Sequence, residues 1–141
     1  MKKFLRLFAF ALLLPVVVSC GDATGPEEDI TGTYNLETVD GKSLPAVVED
    51  SPGFRVEILS MTMVLNQDNT FTLDEAYRFT EGGEQNEVNE SSDGSWERQG
   101  DTVIFRSEID DDMTGRLGRG TITFTFEGNG ANHTLVFRKG T

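Results

Sequence analysis

Between Gly32 and Arg138 apolar and polar residues alternate in short runs separated by Gly, Asn and Asp, the pattern of antiparallel strands with one buried face. In the first run Tyr34 and Leu36 share one face, Thr33, Asn35 and Glu37 take the other, and Asp40-Gly41 ends the strand. Residues 54 to 65 begin with apolar side chains at even positions (Phe54, Val56, Ile58) and continue with them at odd ones (Leu59, Met61, Met63, Leu65). A strand changes faces only through an irregularity, so this shift predicts a bulge near Ile58 or Leu59. Gln67-Asp68-Asn69 then predicts a hairpin turn into residues 70 to 79, whose inward set is Phe71, Leu73, Tyr77 and Phe79.

Further along, residues 81 to 93 are nearly all polar and predict a loop or a weak edge strand. Residues 94 to 98 carry Trp96, and Gln99-Gly100-Asp101 turns the chain into a strand from Thr102 to Arg106. A weaker strand is expected from Met113 to Leu117. The last two runs are the clearest, with Ile122, Phe124 and Phe126 inward in one and Leu135 and Phe137 inward in the other. No segment holds a helical period for long. The result is an all-β chain of eight to ten strands, at the spacing of a barrel or sandwich.

The first twenty residues follow a different rule. A basic start (Lys2, Lys3, Arg6), an apolar run from Phe8 to Val18 and a small-residue end make a secretory signal. The run is roughly half the ~20 apolar residues that a spanning helix needs. Val17-Val18-Ser19-Cys20 resembles the lipobox of bacterial lipoproteins, with a small aliphatic residue, a permissive position, a small residue and the invariant cysteine. The resemblance implies that residues 1–19 are removed as a signal peptide and that Cys20 is acylated at sulfur, and in that family often at its new amino group as well. Two or three acyl chains, at about 0.8 kcal/mol per buried CH₂, make such an anchor effectively permanent. In that family the residue after the cysteine steers sorting, and Gly21 in place of aspartate implies the outer membrane, with the domain facing the periplasm. Residues 20–29 then form a lipidated, acidic tether, and 30–141 form one domain.

Charge narrows the partners. The signal takes three of the 12 Lys and Arg with it and none of the 24 Asp and Glu, which carries the formal charge from −12 to −15. Such a domain stays in solution and repels nucleic acid and anionic headgroups, so membrane contact is expected through the acyl chains on Cys20 and no nucleic-acid partner is expected. Cys20 is the sole cysteine, so the domain folds without an internal disulfide. A monomer is expected.

The stretches Asp29 to Leu36, Val39 to Pro45, Leu65 to Phe71 and Thr134 to Arg138 resemble small bacterial lipoproteins with a lipocalin-like domain, a resemblance that covers most of residues 29 to 139. It implies an antiparallel up-and-down β-barrel of about eight strands that holds a small apolar or amphipathic ligand. Gly32-Thr33-Tyr34 stands where lipocalins carry Gly-X-Trp. Arg138 is the nearest counterpart of the arginine that packs on that tryptophan, although it alternates with Leu135 and Phe137 rather than sharing their face.

Sites for chemistry are sparse. His133 is the lone histidine, beside Gly128-Asn129-Gly130 and read as a turn residue; no Gly-X-Ser-X-Gly elbow is present, so no catalytic role and no transition-metal set are expected. The run Glu108-Ile109-Asp110-Asp111-Asp112 lacks the spaced acids of a calcium loop, and no cofactor is expected. Residues expected to line a ligand pocket are Tyr34, Leu36, Met61, Met63, Phe71, Tyr77, Phe124 and Phe126, with Glu75 as the polar contact. A carboxylate on the inward face is costly unless compensated, so Glu75 meets an internal arginine or the polar end of a ligand, or a bulge near Asp74 and Glu75 turns both acids outward. A filled barrel acting as a structural or protein-interaction module is the alternative, since inward positions rich in Phe and Met also suit a solid core.

Overall fold

Among the described residues ten antiparallel strands build one continuous sheet: β1 (Gly32–Val39), β2 (Lys42–Ser43), β3 (Ala46–Ser51), β4 (Phe54–Leu65), β5 (Thr70–Glu81), β6 (Glu84–Gln99), β7 (Thr102–Ser107), β8 (Met113–Gly118), β9 (Thr121–Gly128) and β10 (Ala131–Lys139). The computed structural model describes residues 27–108, 111–128 and 130–141. The signal segment, Cys20 and most of the tether therefore lie outside the described residues, as do Ile109, Asp110 and Asn129.

From β4 to β10 each strand pairs with its chain neighbour, and β1 closes the circle by pairing with β10 on one side and with the C-terminal half of β4 on the other. Eight strands thus make a closed up-and-down barrel, and β2 and β3 are additions, to β1 and to the N-terminal half of β4. The parity shift in residues 54 to 65 has the expected cause. The β4–β5 register slips between Ile58 and Ser60, and Val56 and Ile58 before the slip and Met61, Met63 and Leu65 after it are all buried. Leu59 is the extra, half-buried residue of the bulge rather than the first of the odd inward set.

The polar stretch 81 to 93 is strand, not loop. Gly82 and Gly83 turn the chain with φ of 59° and 91°, the two left-handed positions of a tight hairpin, and residues 84–95 of β6 then pair with the whole of β5. Only Gly94–Gln99 of β6 also pair with β7. Among the described residues Glu84–Asp93 therefore has β5 on one side and no strand on the other, and its side chains are exposed but for a half-buried Ser92.

The two ends of the barrel differ. At one end the turns 66–69, 99–102 and 118–121 gather, and the incoming chain crosses them: Tyr34 donates to the Ile30 carbonyl at 2.9 Å, Arg98 to that of Glu28 at 2.7 Å and Lys139 to that of Asp29 at 2.8 Å. Ile30, Tyr34, Leu65, Phe71, Val103 and Ile122 are buried toward that end. Phe71 and Phe105 meet edge to face at 5.1 Å, Phe105 continues to Phe124 at 5.5 Å, and Phe124 meets Phe137 at 5.6 Å. Gly94 lies beneath Phe71 because a Cβ there would overlap the Arg106 carbonyl and come within 2.9 Å of the ring. Among the described residues, the other end is formed by β3, the β5–β6 hairpin, the end of β7 and start of β8, and the end of β9 and start of β10.

Candidate functional site

At that second end the inward face is not filled. A cavity of about 430 Å³ lies between the β4–β5 wall and the β9–β10 wall, within the size range of small-ligand pockets. Its inner part is made by Met61, Met63, Leu73, Phe124, Leu135 and Phe137, all buried. Toward solvent it is bordered by Val48, Tyr77, Met113 and Phe126, the last 41% exposed. The alternation that places these side chains inward follows from the strand period, and the bulge at Leu59 keeps Ile58 and Met61 on the same side of β4.

An apolar shelf continues the wall beyond the barrel. Phe54 and Phe79 stand 6.4 Å apart and Tyr77 and Phe79 6.2 Å apart, while Val88, 37% exposed, faces Tyr77 from the part of β6 that pairs with β5 alone.

Six of the nine residues expected to contact a ligand line this cavity: Met61, Met63, Glu75, Tyr77, Phe124 and Phe126. Tyr34, Leu36 and Phe71 do not. All three are buried, and Tyr34 and Phe71 belong to the filled end. The Tyr34 hydroxyl is held at the Ile30 carbonyl, and burial pushes its pKa up. Alternation placed them inward correctly, but inward at this end means core.

Glu75 is on the inward face. β5 runs without irregularity through Asp74 and Glu75, since the register slip belongs to β4, and the two acids point opposite ways. Asp74 accepts from Ser91 Oγ at 2.7 Å, and Glu75 accepts from the Tyr77 hydroxyl at 2.8 Å at the cavity wall. Glu90 is its register partner across the hairpin.

One expectation is corrected, and the parity of Arg138 is explained. His133 is not a turn residue but a buried position of β10, with Nδ1 2.8 Å from Asp40 Oδ2 and its ring 5.2 Å from Phe126. Asp40 also accepts from the Thr134 amide at 2.7 Å, and these two hydrogen bonds, the amide's first, hold its carboxyl below the usual range. The dyad ties the β1–β2 turn to β10 behind the exposed Phe126. Arg138 turns outward to Glu37, 2.9 Å from each carboxylate oxygen, and does not reach Tyr34. The arginine whose charge reaches the Tyr34 hydroxyl is Arg98 of β6, a residue the pattern reading leaves unassigned.

Among the described residues no group of three or more His, Cys, Asp or Glu side chains is placed to hold a metal ion. Every buried side-chain polar atom among them has a hydrogen-bond partner.

Fold and cavity define the class: a closed, eight-stranded, antiparallel up-and-down barrel of lipocalin-like architecture, filled at one end and hollow at the other. No family model, no curated protein and no solved structure matches the chain.

Proposed function

We propose that this chain is an outer-membrane lipoprotein, anchored through acyl chains on Cys20, whose barrel binds a small apolar or amphipathic ligand in the periplasm without catalysing a reaction on it. The observation that carries the binding reading is the cavity of about 430 Å³, bounded mainly by Met, Leu and Phe side chains and bordered by the exposed Phe126. A barrel of eight strands can be filled by side chains, as this one is at its other end, or can hold one small ligand. The lipobox sequence supports the anchor.

The reading is tested on the soluble domain, residues 21 to 141, purified from a bacterial periplasm. Native mass spectrometry is expected to find a co-purifying small molecule, or thermal shift to find stabilisation by members of a panel of apolar and amphipathic compounds. At a ligand concentration 100 times Kd the gain is about 2.7 kcal/mol, an easily measured rise in Tm. No bound molecule together with no shift across the panel returns the protein to the scaffold reading.

A further inference from the structure

We propose that the free edge of β6 is a docking surface for an extended, basic segment of a partner protein, which adds there as one further antiparallel strand. The proposal is independent of what the cavity holds. Over Glu84–Asp93, among the described residues, β5 pairs with one side of the strand and no strand pairs with the other. About half of the N–H and C=O groups of such an edge point away from the sheet, a ready template for another chain.

Exposed edges are guarded by short strands, proline, irregularities or charge. The sheet's two terminal strands use the first three: β2 is two residues long, and β3 follows Pro45 and has an irregularity between Val47 and Glu49. The β6 edge runs ten residues with no proline, no lysine and no break in its register with β5. Charge is its only guard, in Glu84, Glu87, Glu90 and Asp93, with no basic residue among them. Arg78 takes Glu87 at 2.8 Å, and among the described residues no lysine or arginine forms an ion pair with the other three acids.

Those acids decide which strand the edge accepts. Continued past Gly94 and Ser107, the β6–β7 register would set Glu108 opposite Asp93 and Asp111 opposite Glu90. Like charges directly opposite on a sheet repel each other, and β7 ends at Ser107. A second copy of the edge brings four more acids and no cation, and meets the same repulsion. A strand with Lys or Arg opposite Glu84, Glu90 and Asp93 meets attraction at all three. Val88 is exposed on the same face as Glu84 and Glu90 and receives one apolar side chain between them. In this mode of recognition main-chain hydrogen bonds supply affinity and alternate side chains supply specificity.

The test is an NMR titration of the soluble domain, residues 21 to 141, at pH 7 and about 150 mM salt. The probe is the capped peptide Lys-Thr-Thr-Lys-Thr-Val-Thr-Thr-Thr-Lys, written to lie antiparallel on residues 84 to 93. It is expected to bind with a Kd of about 1 mM or tighter, to shift the amides of residues 84 to 93 and to slow their exchange with solvent. Two control peptides are each expected to bind at least ~10-fold more weakly. One has Glu for every Lys; the other keeps the lysines but has proline at its second, third, seventh and eighth positions, so that the charge remains and the ladder cannot form. Glu84→Lys, Glu90→Lys and Asp93→Lys together, all at exposed positions, are expected to transfer the preference to the Glu peptide. No shift at residues 84 to 93 with the Lys peptide overturns the proposal, and so do shifts centred elsewhere. Equal binding of the proline peptide also overturns it, since adsorption of charge is then the whole effect. Concentration-dependent pairing of the domain through the same amides, without peptide, gives the edge to a second copy and overturns it too. The peptide ranking on the wild-type domain needs no variant, so a poorly folded charge-reversed protein would still leave the test decisive.

Discussion

Phe71 and Phe124 are both inward phenylalanines touching Phe105, but they stand in different surroundings, and truncating each to alanine measures the difference. Phe71 is 1% exposed and lies in the filled end, edge to face with Phe105 and against Gly94. Phe124 is 9% exposed and borders the cavity. Each substitution loses the transfer free energy and ring contacts of a buried phenyl group, about 3 kcal/mol at the low end of Phe→Ala costs. Around Phe71 the neighbours hold the void open and dry. A residual ~60 Å³ at about 24 cal/mol per Å³ adds ~1.5 kcal/mol. At Phe124 the vacated space joins a cavity that already reaches solvent, and that further cost is largely absent. Phe71→Ala is therefore expected to cost about 4.5 kcal/mol and Phe124→Ala about 3 kcal/mol. In urea, with a slope of ~2 kcal/mol per M, the midpoints differ by about 0.7 M. Equal losses, or a larger loss at Phe124, would falsify the division of this barrel into a filled and a hollow end.

Three other expectations concern separate parts of the chain. Gly94→Ala places a methyl group against a backbone carbonyl that cannot swing aside, and a loss of about 2 kcal/mol or more is expected in the same urea assay; a change below ~0.5 kcal/mol would show that β6 can shift there. The Asp40 carboxyl has a lowered pKa in the folded state, so its contribution to stability is present above its unfolded value of 3.8 and lost as pH falls through the lower folded value. Asp40→Asn should accordingly flatten the fall of Tm in that acid range, and an unchanged profile would remove the carboxylate's hydrogen bonds from the account. Cys20→Ser should leave the protein unacylated with its signal uncut, and recovery of a mature-sized protein in the outer-membrane fraction would overturn the anchor.

Much of the fold is legible in the alternation because a strand's period fixes which face each side chain takes. The bulge at Leu59 is visible as a change of parity, and Glu75 stays with the inward set because β5 has no matching irregularity. Depth along the barrel is not encoded that way. Phe71 and Phe124 carry the same signal, yet one is packed from every side and the other borders a void, a difference set by which strands close over each level. The β5–β6 hairpin is hidden because its outer strand has almost no apolar residue to alternate; Gly82-Gly83 is its one sequence mark, since both turn positions need positive φ. His133 and Asp40 are 93 positions apart and meet only because β1 and β10 are neighbours in the closed barrel. Arg98 looks like any polar strand residue until the incoming chain supplies the Glu28 carbonyl that it binds.

The incoming chain enters at the filled end, where Arg98, Lys139 and Tyr34 take hold of residues 28 to 30. With the anchor at Cys20 as proposed, the seven residues from there to Glu27 span at most about 25 Å, comparable to the length of the barrel wall itself. The hollow end then opens away from the bilayer, and its mouth meets the headgroups only when the domain folds back along its own tether. If the barrel binds a ligand as proposed, that ligand would be exchanged with the aqueous space or with a facing surface, rather than drawn sideways out of the leaflet that holds the anchor. Loading should therefore follow the free aqueous concentration of the ligand and be insensitive to how much of it the anchoring membrane stores.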